Sequence, residues 1–97
     1  KRGTLTLAVL SQLRVPQYGY SLLETLVAKN VEIESNTLYP LLRRLEKQEL
    51  LTSEWDTSEA RPRKYYKMSD FGYEIYELLK KEYLDSIKIM DDILKEE

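Results

Sequence analysis

The groups best suited to recognising another molecule lie close together in SNTLYPLLRRLEKQ, residues 35–48. Asn36 brings an amide, Thr37 a hydroxyl, Tyr39 a phenol, Arg43 and Arg44 guanidiniums, and Lys47 an ammonium. Amides and guanidiniums can pair bidentately with base edges, and hydroxyl and cationic groups suit phosphate oxygens. A second set of cations, Arg61, Arg63, Lys64 and Lys67, is interleaved with Tyr65 and Tyr66. The missing residue types are equally informative. The chain has no histidine and no cysteine, which excludes His acid/base chemistry, His or thiolate metal sites and a disulfide framework. An enzyme would have to work with carboxylates, lysines and tyrosines, and no cluster of these points to one; no cofactor is expected.

Presenting the first set on one side requires a helix. At about 100° per residue, Leu38, Leu41, Leu42 and Leu45 fall within roughly a third of the circle, the width of a stripe that packs onto a core. Asn36, Pro40, Arg43 and Lys47 lie opposite, flanked by Thr37 and Arg44 on one side and by Tyr39 and Glu46 on the other. Ser35 is the expected N-cap. Pro40 removes one backbone bond and biases Tyr39 away from helical angles. Either the regular helix begins nearer Thr37, with Pro40 in its first turn, or the first turn is distorted. Charges outside an amphipathic helix also serve plain solvation, so this face acquires meaning only from its neighbours.

Before it, Thr4–Leu13 is apolar almost all round. This suits a helix buried on more than one side, although its β-branched content also suits a strand. Pro16 ends the segment. Gly19 marks a sharp turn into SLLETLVAK, where Leu22, Leu23, Leu26 and Val27 keep helical spacing. Asn30–Glu34 alternates and is compatible with a very short strand. Two helices, a short connection and an amphipathic third helix make the helix-turn-helix order, whose second element lies in a major groove.

After it, Leu51, Ser53 and Trp55 share one face of residues 50–56. Thr57–Pro62 is polar, and Arg63–Met68 alternates again, so a β-hairpin is expected. A helix-turn-helix followed directly by a hairpin is a winged helix. Arg61, Arg63 and Lys64 on the projecting hairpin can reach phosphates beside the groove. Charge and proline also blunt strand edges, but the cations cluster next to the groove helix.

From Ser69 the chain reads as one long helix, with Ser69 as N-cap and Asp70 at the positive end of its dipole. Gly72 costs about 1 kcal/mol in a helix relative to alanine, so it is expected to lie against another backbone. Tyr76, Leu79, Tyr83, Ile87, Met90 and Leu94 recur at steps of three and four. So long a stripe exceeds what the rest of the domain can cover, and a second copy is the simplest partner.

The fold expected is therefore mainly α with a small β-hairpin, an α+β chain with a winged helix over residues 1–68 and a dimerisation helix over 69–97. At 97 residues it is one compact folding unit with little stability margin. No run of about 18 apolar residues could span a membrane, and a cytoplasmic location is the default. The net charge of −2 hides a gradient. Residues 36–67 hold seven cations against five acids, whereas residues 68–97 hold four against nine. Local charge decides where a polyanion docks.

The segments YGYSLLETL, NTLYPLLRRLEKQELL and RPRKYYKMSDFG, followed by a single terminal helix, together resemble the PadR family of bacterial transcriptional regulators over nearly the whole chain. The resemblance implies a winged-helix homodimer joined through the last helix. It also implies binding to double-stranded DNA at a palindromic operator, usually as a repressor. Thr37, Tyr39, Pro40, Arg43 and Arg44 match the family's groove helix, and Arg61, Arg63 and Lys64 its wing. Asn36 stands where the family more often has glycine, and Ser69 where threonine is common. The DNA-binding candidates are Ser35, Asn36, Thr37, Tyr39, Pro40, Arg43, Arg44, Lys47, Arg61, Arg63 and Lys64. The dimer-interface candidates are Tyr76, Leu79, Tyr83, Ile87, Met90 and Leu94. Many relatives respond to small aromatic or cationic molecules, and Tyr83 is the candidate contact for such an effector. The single terminal helix resembles the short branch of the family, and the absence of an initial methionine points to a trimmed start. The alternative is a winged-helix module that binds protein rather than DNA, which the overall acidity favours and the basic face and wing oppose.

Overall fold

The apolar run at the start of the chain is a helix, α1 (Arg2–Ser11). Its Val9 and Leu10, with Leu13 just beyond, are fully buried, and Leu5, Leu7 and Ala8 pack against them. A computed structural model describes residues 2–96. The order continues with β1 (Gln17–Tyr18), α2 (Gly19–Ala28), α3 (Ser35–Lys47), β2 (Leu51–Asp56), β3 (Arg63–Met68) and α4 (Asp70–Leu94). The three strands form one antiparallel sheet in the order β1-β3-β2, with Gln17 opposite Tyr66, Ser53 opposite Tyr66 across the other edge, and Trp55 opposite Lys64.

One core serves all the helices. Leu22 and Leu26 of α2, the four leucines of α3, and Leu50, Leu51, Tyr66 and Met68 of the hairpin close over α1. The leucine stripe of α3 is buried as its spacing requires, and that orients the opposite face outward.

Both helices of the helix-turn-helix end in the same way. Asn30 (φ 69°) and Glu49 (φ 67°) adopt left-handed backbone after α2 and α3. The N–H groups of Val31 and Leu50 reach back to the carbonyls of Leu26 and Leu45 at 3.0 and 2.9 Å. This is the Schellman arrangement, in which orphan carbonyls of the last turn are satisfied by the reversing chain. It explains why Asn30–Glu34 is not a strand. The Val31 N–H is committed to α2, Ile33 is turned into the core, and Glu34 already caps α3. The third strand is instead the two-residue β1, held by β3.

Further expectations are corrected. Ser35 is not the N-cap of α3. It is the first helical residue, and Glu34 occupies the cap with extended backbone and no side-chain bond. The N–H groups of Thr37 and Leu38 both bond the Glu34 carbonyl, so Pro40 lies inside the helix rather than in its first turn. Gly19 has no positive φ. It is small because the ring of Tyr39 rests on it: a Cβ there would come within 2.6 Å of Tyr39 Cε1.

Ser69 is the N-cap of α4. Its Oγ accepts from the Gly72 N–H at 2.9 Å and donates to the Glu49 carbonyl at 2.6 Å, while its own N–H bonds the Leu50 carbonyl. Gly72 packs directly on the Leu50 backbone, where a Cβ would overlap the carbonyl. The close backbone approach expected there is present.

Beyond this joint α4 departs from the domain. Tyr76 is buried in its own chain and Leu79 packs partly against the same core, so the first two residues of the stripe already serve the intrachain core. From Lys81 to Glu96 every residue is exposed. A 25-residue helix is about 37 Å long at 1.5 Å per residue. The chain measures 60 × 26 × 19 Å, with a radius of gyration of 15.5 Å, against about 12–13 Å for a compact chain of this length.

Candidate nucleic-acid interface

The outward face of α3 is continuous and polar. Ser35, Asn36, Thr37, Pro40, Arg43, Arg44 and Lys47 are all exposed. Pro40 has no N–H, so the Asn36 carbonyl lacks the donor four residues on that it would have in a regular helix. Tyr39 is half-buried, with its ring seated on Gly19 at the start of α2. It therefore joins the two helices of the helix-turn-helix as well as bordering the outer face.

The wing stands beside this face. Arg61 and Arg63 are exposed, and the Arg63 guanidinium lies 3.9 Å from the centroid of the Tyr18 ring, within cation–π range. Tyr18 meets Tyr65 edge to face at 6.0 Å and donates its hydroxyl to Asp56 at 2.5 Å. Asp56 also accepts from the backbone N–H and Oγ of Ser58, at 3.0 and 2.6 Å. Bonds from the Ser58 hydroxyl, then from Tyr18 and the Ser58 backbone, lower the Asp56 carboxyl to about 2. The same pairing raises the Tyr18 phenol, chiefly through the hydrogen bond to Asp56, and Glu54 likewise raises Tyr65. The hairpin is thus closed, where its strands meet the loop, by a tyrosine–carboxylate network that leaves the arginines on the outside.

Between the wing and the helix-turn-helix lies a cleft of about 560 Å³ whose walls include Tyr18, Tyr20, Tyr39, Arg61 and Arg63. Arg43, Arg44, Glu46, Lys47 and Lys64 line a second, more open concavity, which shares Lys64 with the first. Lys64 is not a free wing cation. Its Nζ lies 3.5 Å from Glu46 Oε1, and Glu46 Oε2 accepts from Ser53 Oγ at 2.5 Å. The fold therefore gathers the α3 candidates with Arg61, Arg63 and Lys64 on one side of the domain. It adds Tyr18, Tyr20, Glu46 and Asp56, which the sequence reading did not single out. Of these only Asp56 has a local signal: an Asp two residues before a Ser, at a strand end, is an Asx-turn pattern.

Among the described residues no helix is long and apolar enough to cross a membrane, and no acidic cluster could hold a metal ion. The sequence profile of the transcriptional regulator PadR-like family matches residues 6–78. The chain belongs to the PadR-like family. A PadR family transcriptional regulator from Eggerthella lenta is 46% identical and superposes with a TM-score of 0.89, over 96% of this chain and 83% of its own. A PadR-like transcription factor from Bacteroides fragilis is 30% identical (TM-score 0.84; 95% and 91% covered). A PadR-like transcriptional regulator from Bacillus cereus is 26% identical (TM-score 0.82; 96% and 93% covered). No curated protein matches the sequence. Like other PadR-like proteins, the chain is a transcriptional regulator and not an enzyme, and membership of this family implies binding to DNA. The expected fold, a mainly α winged helix with a small β-hairpin, is the fold observed, with β1 adding a third strand to the hairpin.

Proposed function

We propose that this PadR-like regulator is a cytoplasmic homodimer that binds a palindromic operator and acts as a repressor. The observation that carries the reading is the juxtaposition of the exposed α3 face with the wing arginines. Asn36, Thr37, Arg43 and Arg44 supply base-edge chemistry, while Lys47, Arg61 and Arg63 supply phosphate chemistry. Ser35 and Pro40 shape the front of that helix, and Tyr39 sets its seat on α2.

Dimerisation through α4 is supported by the uncovered continuation of its stripe: Tyr83 is 40% exposed, Ile87 45%, Met90 54% and Leu94 59%. A two-fold axis across this seam would present two groove helices to successive major grooves, about 34 Å apart. Tyr83 is the point at which a flat aromatic or cationic effector would enter the seam and release DNA, by stacking on its ring.

Selection from a pool of randomised duplexes at about 0.15 M salt, a condition that limits purely electrostatic capture, tests the reading. Recovery of a palindrome is expected, together with loss of the preference when Arg43 and Arg44 are both alanine. A folded dimer that enriches no sequence would favour a protein-binding module instead.

A further inference from the structure

Glu46 is placed where a carboxylate is doubly unfavourable. It lies in the last turn of α3, at the negative end of the helix dipole. It also lines the concavity formed with Arg43, Arg44, Lys47 and Lys64, where a second negative charge would repel an approaching phosphate. Yet it is half-buried, and both of its oxygens are engaged on different strands of the wing. Ser53 of β2 donates to Oε2 at 2.5 Å, and Lys64 of β3 approaches Oε1 to 3.5 Å. Lys64 is held further by the faces of Trp55 and Tyr66, at 5.8 and 5.5 Å. Ser53 and Lys64 stand on the same face of the hairpin, diagonally across the two strands with the Glu54–Tyr65 pair between their rungs, so one carboxylate bridges both strands to α3.

We propose that Glu46 is a positioning residue for sequence discrimination: it clamps the wing at a fixed angle to the groove helix and keeps Lys64 away from phosphate. The inference rests on the DNA-binding reading above. A wing set by the clamp places Arg61 and Arg63 on the backbone only when α3 is seated in register in the groove. The withheld Lys64 lowers the sequence-independent attraction against which specific binding must compete. An acidic residue within a basic face thus raises the ratio of specific to non-specific binding by limiting the second.

Glu46→Gln tests this, because it removes the charge while retaining a polar group for Ser53. Affinity of the full-length protein is measured for the selected operator and for a scrambled duplex of equal length, across a salt series. The ratio of the two affinities is expected to fall about tenfold, the order of one charged hydrogen bond. For the scrambled duplex, log K against log salt should steepen by about 0.9 for each Lys64 set free. Glu46→Gln/Lys64→Met should abolish the steepening and recover the part of the ratio lost to non-specific attraction, while the part lost with the wing angle stays lost. A clamp that only stabilised the fold would change thermal stability and leave the salt slope unmoved. A ratio within about twofold of wild type, or an unchanged slope, overturns the proposal. If the wild-type protein itself shows no preference for any sequence, the DNA-reading assignment falls and takes this inference with it. A discriminating wild type and an equally discriminating Glu46→Gln variant would remove the clamp alone.

Discussion

Asp56 is held by three hydrogen bonds where β2 meets the wing loop, two from Ser58 and one from Tyr18. Its pKa is depressed to about 2 in the folded protein, so folding favours the ionised form. The resulting stabilisation is fully present above the unfolded value, near 4, and is lost as pH falls through about 2. Asp56→Asn should flatten the dependence of melting temperature on pH between about 4 and 2, with a carbon-detected carboxylate titration reporting the site directly. An unaltered slope in the variant would assign acid sensitivity to other carboxylates. Gly72 is set by contact rather than by conformation. Alanine would gain about 1 kcal/mol of helix propensity, but its methyl would meet the Leu50 carbonyl at the joint between α3 and α4. Overpacking costs about 1–3 kcal/mol and often more against backbone, so Gly72→Ala should destabilise by about 1–2 kcal/mol in urea unfolding. A more stable variant would show that the joint yields easily.

At the scale of elements, α3 is a helix despite its sixth residue. Proline in a helix interior costs about 3 kcal/mol relative to alanine, while stiffening of the unfolded chain returns up to about 1 kcal/mol. Pro40→Ala should therefore stabilise the domain by about 2 kcal/mol, measured by the urea midpoint at constant m-value; no change would mean that the exposed ring makes compensating contacts. The helix was legible from Leu38, Leu41, Leu42 and Leu45 because burial imposes the 3.6-residue period on apolar side chains. Its start was not. Ser35 has a capping side chain, but the backbone turns into the helix one residue earlier, at a glutamate that makes no side-chain cap. β1 was invisible for another reason: two residues carry no periodicity, and their pairing depends on β3, far along the chain. Tyr76 and Tyr83 belong to one stripe of α4, yet only the first is buried by its own chain. Spacing cannot show where the domain ends and open surface begins. Glu46 escaped notice because the polar side of a helix has no period at all, and its partners are brought to it only by the hairpin.

For the whole molecule, an extended chain with an apolar stripe beyond its own core is incomplete as a monomer in this account. Sedimentation equilibrium should give twice the 11.5 kDa chain mass. Ile87→Glu, which sets like charges against each other across a two-fold seam, should return the mass to a single chain without unfolding the winged domain, since Ile87 is outside the core. A dimer that survives this change would place the seam elsewhere. The net charge of −2 is no obstacle to polyanion binding, because the acidic excess belongs to residues 68–97 and the cations to α3 and the wing.

The most direct test of the central claim, that two groove helices fixed by one dimer read two half-sites together, is the affinity for the selected operator after insertion of about half a helical turn, ~5 base pairs, between the half-sites. The account predicts a loss of at least ~100-fold, toward the affinity of a single half-site, because the second helix then faces the wrong side of the duplex and the gain from bivalency disappears. Affinity unchanged by the insertion would contradict it.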